Sequence, residues 1–230
     1  MNAVNNNRKV TQVFAGVGKK YGYDSVTAEF TDFKEFKVQW SRSYKFANFR
    51  VSDYLEDAPA EVLEGLAATL FAKISGMQDE PYSKAMREWV LAPEFSQKHR
   101  PIYIERSKGL TGVAEGNERD LAESFVRLEE AGLVDHDAAQ HMMVCWNVDD
   151  RRKAAASSLL MKVISVSDVL DDADIPDFVV DYAVYTQYLK ILKGAVVFGY
   201  STEVYTRDEE TKFAKYKEAE RFLDKLNLGL

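Results

Sequence analysis

The chain has 230 residues, 46% of them hydrophobic and 12% aromatic, which is enough for a packed core and too apolar for general disorder. Its formal net charge of -7 disfavours a nucleic-acid binder, which needs a basic surface to neutralise phosphates. The single cysteine, Cys145, excludes an intrachain disulfide and fits a reducing interior; with no signal-like start and no apolar run of spanning length, a cytoplasmic protein without membrane contact is expected.

Taken in order, the Asn-rich start, MNAVNNNRK, is the one stretch where disorder is expected. In VTQVFAGVGKKYGY, Gly16, Gly18 and Gly22 suggest a turn, and GVGKK lacks the spacing and the Ser/Thr of a P-loop, so no phosphate cradle is read there. FKVQW alternates through Phe36, Val38 and Trp40, and SYKFANFRVSD through Tyr44, Phe46 and Phe49, which predicts two neighbouring antiparallel strands. A helix over Pro59 to Ser75 follows, with Glu61 and Glu64 on a wet face, then a second in SKAMREWVLAPEF with Met86, Trp89 and Val90 on one side and Pro93 as its stop. Residues 96 to 120, polar and carrying Lys98, His99, Arg100, Arg106 and Lys108, read as a connection with a solvated charge run.

DLAESFVRLEEAG is amphipathic through Leu121, Phe125, Val126 and Leu128 and stops at Gly132. HMMVCW and Leu159 to Val169 predict strands. Ile175 to Gly194 then reads as a helix apolar on nearly every face: only Asp181, Gln187 and the lysines are clearly polar, so the helix must be buried. Asp174, Pro176 and Asp177 mark its start, and Lys190, Lys193 and Gly194 its end. A charged helix over Arg207 to Leu226 closes the chain, and the carboxylate pairs Glu129-Glu130 and Glu209-Glu210 read as exposed helix charge.

The chain also matches itself, and an internal repeat reorganises every other reading. VSDYLEDAP (51 to 59) answers VSDVLDDADIP (166 to 176). After the proline, Val62, Thr69, Lys73 and Ile74 match Val179, Thr186, Lys190 and Ile191 without gaps. Upstream, VQWS ending at Ser41 is paired with VCWN ending at Asn147; downstream, Tyr82-Ser83 is paired with Tyr200-Ser201. The expected fold class is α+β: two similar halves, residues 1–98 and 119–230, joined by a linker 99–118. Each half has a small antiparallel or mixed sheet packed on a buried core helix with flanking helices.

The segments VCW, VISVSDVLDDADIP, FVVDYAVYTQYLKI and Tyr200-Ser201, followed by EETKFAKYKEAERFLDKL, resemble the small gluzincin-type zinc metallopeptidases of the SprT-like and YgjP-like groups and their archaeal relatives. The resemblance covers most of the second half and, more faintly, the first, and it implies two metallopeptidase-like halves. In that family an HExxH helix presents two imidazoles to one zinc and a glutamate to the metal-bound water, with a downstream His as further ligand. At the matching positions stand Thr186, Gln187 and Lys190 in the second half, Thr69, Leu70 and Lys73 in the first, and Tyr200 and Tyr82 downstream. A lysine ammonium has no lone pair for a metal and glutamine is not a base, so neither half is expected to hold zinc or to need any cofactor.

The expectation is therefore a non-catalytic pseudo-metallopeptidase that binds or scaffolds a protein or peptide through the vestigial groove. Either the lysine ammonium replaces the lost zinc, with the Thr and Tyr hydroxyls as its partners, or Lys190 and Lys73 reach solvent at the helix ends and favour the dipole there. The alternatives are a metal-dependent hydrolase with rewired ligands, drawn from His136, His141 and Cys145, and nucleic-acid binding through Arg151-Arg152-Lys153 and Lys98-His99-Arg100.

Overall fold

Alternating apolar residues on three short strands give the first 92 residues one dry sheet face, and two helices cover it. The structure is a computed structural model that describes residues 3–77, 82–196 and 207–230, and its chain divides into two compact units, Met1–Ala92 and Pro93–Leu230. Both are α+β, and each contains a small mixed three-stranded sheet.

The first unit runs α1 (Ala3–Lys20), β1 (Ser25–Thr31), β2 (Val38–Arg42), β3 (Phe46–Ser52), a 3-10 turn at Asp53–Leu55, α2 (Ala60–Ile74) and α3 (Lys84–Leu91). Helix α1 occupies both the stretch expected to be disordered and the one expected to turn. Gly16 and Gly18 lie inside it, and a Cβ at Gly18 would stand 2.7 Å from Val26 and 2.8 Å from Phe71, so the bare glycine lets the helix approach both neighbours. Only Gly22, with φ +83°, serves a turn. β3 is central, parallel to β1 and antiparallel to β2. Val26, Ala28, Phe49 and Val51 face the helices, with the Phe14, Phe49 and Phe71 rings packed in series, the first pair tilted and the second edge-on, at centroid distances of 5.0 and 5.1 Å. The other face is wet: Asn48 donates to Thr27, and Arg50 reaches Glu29 and Gln39 across the strands.

The outer edge of β1 is closed by side chains. The Thr11 hydroxyl donates to the Ala28 carbonyl at 2.6 Å and accepts from the Ala28 amide at 3.1 Å, while Asn7 Oδ1 accepts from the Phe30 amide at 2.8 Å. Four residues of helix rise about 6 Å and two residues of strand about 6.6 Å, so side chains four apart on α1 match outward backbone groups two apart on β1.

The second unit holds α4 (Pro93–Arg106), α5 (Leu121–Glu130), α6 (His136–Ala139), β4 (Met143–Asn147), β5 (Ala155–Ser158), β6 (Val163–Ser167), a 3-10 turn at Asp168–Leu170, α7 (Asp177–Val196), α8 (Arg207–Glu210) and α9 (Tyr216–Lys225). Pro93 starts α4 rather than only stopping α3, as a residue without an amide proton can. Residues 99–106, expected as linker, complete that helix and bury His99 and Tyr103. The closing helix is broken at residues 211–215, between α8 and α9.

Helix α7 is the core of this unit, as its all-round apolar sequence requires. It packs on β5, β6, α5 and α9. Tyrosine hydroxyls fasten its neighbours: Tyr188 accepts from the Asp135 amide, Tyr185 donates to the Glu209 carbonyl and Tyr182 donates to Glu220. Asp181 is held by a two-pronged contact from Arg127 of α5, at 2.9 and 2.8 Å.

Order and direction of strands are the same in both units: first parallel to third, third antiparallel to second. Val51 and Val166 mark equivalent places, each followed by a buried serine and a 3-10 turn. This register corrects one sequence match. Opposite Val51 stand Phe30 and Val38; opposite Val166 stand Trp146 and Ala155. Trp146 therefore corresponds to Phe30, and the VQWS strand corresponds to β5, not to VCWN.

Candidate functional site

The turn of α7 that holds Thr186 and Gln187 is buried, and its polar groups are largely committed to the fold. Thr186 is 0% exposed and its hydroxyl donates to the Ala183 carbonyl at 2.9 Å, a local back-bond that leaves no hydroxyl proton for a ligand. Gln187, 2% exposed, accepts from the Ser157 hydroxyl of β5 at 3.0 Å through Oε1, and its Nε2 has no hydrogen-bond partner among the described residues. One turn on, Lys190 is half-buried; burial holds its ammonium below the usual lysine range, Lys153 adds to that effect and Glu210 opposes it. Tyr200 lies outside the described residues.

Equivalent residues of the first unit differ in environment. Thr69 donates to the Gly65 carbonyl, and Leu70 fills the Gln187 position with an apolar group. Lys73 is exposed, its Nζ 6.0 Å from the Trp40 ring centroid, so this lysine is not a buried plug. Tyr82, half-buried, has its phenol pushed up by burial.

The histidine and cysteine candidates do not converge. His136 is exposed on α6 with Nδ1 3.0 Å from Glu129, and that hydrogen bond raises its pKa. His141 contributes its carbonyl to Arg100, and Cys145 is buried in β4, where burial pushes the thiol up. Among the described residues, no three His, Cys, Asp or Glu side chains come together as a metal-holding group. Of the basic segments, Lys98-His99-Arg100 is not a free cationic patch. His99 is buried, and Arg100 is spent on the Met161 and His141 carbonyls at 2.9 and 2.7 Å.

The sequence missed a polar cluster beside α7. Glu209, read as exposed, pairs with Lys193 at 3.1 Å. Its neighbour Glu210 is held above the usual carboxylate range by burial and then by Glu220, with Lys190 and a Tyr182 hydrogen bond opposing. A helix this apolar leaves its few polar groups to be answered from outside, and the acidic start of α8 was the available signal. Chemically the cluster provides a partly dry acid and base, with no imidazole or thiolate among its described residues.

Among the strand edges, β1 is capped by α1, and β4 is covered by the segment at 109–113, where Thr111 donates to the Trp146 carbonyl and the Trp146 amide donates to Val113. β2 differs. Four of its five residues are exposed, Trp40 at 42%, and the Ser43 to Phe46 and Ser52 to Lys37 backbone bonds fix its phase. In that phase Val38, Trp40 and Arg42 direct their amides and carbonyls away from β3.

Among the described residues no helix is long and apolar enough to cross a membrane. No family model, curated protein or solved structure matches the chain.

Proposed function

We propose that this chain is a non-catalytic module built by tandem duplication of a metallopeptidase-like unit, and that it binds an extended protein or peptide segment. The observation that carries the reading is the bare edge of β2, whose outward amides and carbonyls at Val38, Trp40 and Arg42 can accept an added strand beside the exposed Trp40 ring and Lys73. The shared strand order of the two units supports duplication. Loss of peptidase chemistry is supported by Thr186 and Gln187, whose hydroxyl and amide oxygen serve the fold.

Fluorescein-labelled, reduced and carboxymethylated α-lactalbumin provides an unfolded polypeptide probe. Anisotropy should report saturable binding without fragment release, with or without added zinc. Arg42→Pro removes one outward donor while leaving the β2–β3 ladder intact, and it should weaken binding where Arg42→Ala does not. Zinc-dependent cleavage would replace the reading with the hydrolase alternative, and equal binding by Arg42→Pro and Arg42→Ala would remove the edge.

A further inference from the structure

A cavity of about 320 Å³ opens in the second unit between α5, α7 and the turn at 211–215. Its floor is apolar: Leu128 and Phe213 are buried, Leu133 and Phe178 half-buried. Around it stand three cations, Arg127, Lys212 and Lys215, against the single carboxylate of Asp181, in a chain whose net charge is -7. Arg127 and Asp181 satisfy each other, leaving the two lysines as the unneutralised charge. Both are exposed, neither has a salt-bridge partner among the described residues, and Lys215 Nζ lies 4.8 Å from the Phe178 ring centroid.

Apolar walls with a cationic rim select a ligand that is greasy at one end and anionic at the other. Two lysines are point charges without the planar fork or backbone amide cluster that favours a phosphate, and the volume lies near the lower end for small-molecule sites. We propose that this cavity binds a small amphipathic carboxylate, with its hydrocarbon against Leu128, Leu133, Phe178 and Phe213 and its carboxylate between Lys212 and Lys215. The site is independent of strand addition at β2.

The test titrates the full chain with octanoate, octan-1-ol and acetate, following backbone amide resonances. Octanoate should bind saturably with shifts centred on Leu133 and Ala214, about tenfold more tightly than octan-1-ol, as two exposed ion pairs allow, and at least tenfold more tightly than acetate, which lacks the hydrocarbon. The Lys212→Ala/Lys215→Ala double variant, which alters only exposed side chains, should lose that tenfold advantage while its octan-1-ol affinity is unchanged. Equal affinity for octan-1-ol, equal affinity for acetate, shifts centred elsewhere, no saturable binding, or an unaltered double variant would each overturn the proposal.

Discussion

The hydroxyl of Ser157 on β5 donates to the side-chain oxygen of Gln187 on α7 at 3.0 Å, which ties the buried helix to the sheet edge. Introducing a carboxylate by Gln187→Glu should not produce peptidase activity, because no imidazole lies beside it. It should instead cost about 1–3 kcal/mol near neutral pH, from placing an ionised group at a buried site. A buried carboxyl has a raised folded pKa, so its contribution is intact below the unfolded value and fades as pH rises. Urea denaturation should show a larger deficit at pH 8 than at pH 5, and equal deficits would contradict this account.

Arg127 and Asp181 make a pair whose halves are unequally buried, Asp181 being 6% exposed. The hydrogen bond to Asp181 is the main reason that the guanidinium pKa is raised. Asp181→Asn should destabilise the second unit by about 1–3 kcal/mol, and Arg127→Met by a similar amount. The double variant should cost clearly less than the sum, which a denaturant double-mutant cycle measures.

Glu210 and Lys190 titrate abnormally in opposite senses. The raised carboxyl of Glu210 contributes stability below its unfolded pKa and loses it as pH rises through the folded value, so Glu210→Gln should flatten the stability profile from pH 4.5 upward. The depressed ammonium of Lys190 contributes stability above its unfolded pKa that is lost as pH falls through the folded value, so Lys190→Met should raise the melting temperature at pH 7 and have little effect above pH 11. A melting temperature at pH 7 lower than that of the parent chain would refute the Lys190 assignment.

Gly116 lies against a carboxylate with three donors. Asp171 accepts from the amides of Asn117, Glu118 and Arg119 at 2.6, 3.0 and 3.2 Å, and a Cβ on Gly116 would stand 2.6 Å from its Oδ2 and 2.7 Å from Trp146 Nε1. Gly116→Ala should cost about 1–3 kcal/mol by pushing Asp171 off those amides. Gly16→Ala, with nothing within 4 Å of its Cβ, should be stabilising by up to about 1 kcal/mol in the helix. Thermal melts of the two variants provide the comparison.

Periodicity made α7 legible because a helix apolar all round has only one physical solution. The Val-Ser-Asp turn was legible because the same buried serine and tight turn recur in each unit. Strand identity was not. VQWS and VCWN share a tryptophan, yet one is the antiparallel partner and the other the parallel one, a distinction that lives in pairing and leaves no trace in local composition. β5, Ala155–Ser158, has small residues and no alternation to read. Helix α1 was hidden by asparagines and glycines, whose low helical propensity is overridden by packing against β1 and α2. At the candidate site the identities of Thr186, Gln187 and Lys190 were legible, but not that the first two are occupied by their own neighbours.

By lending Thr11 and Asn7 to the margin of β1, the opening helix behaves as a counterfeit strand, made of side chains where a true strand would offer peptide groups. Its departure would uncover a ready template for lateral growth. Thermal fraying at this end should thus lead to self-association before global unfolding, and Thr11→Val, which keeps the shape and removes the hydroxyl, should bring that onset to lower temperature in light scattering.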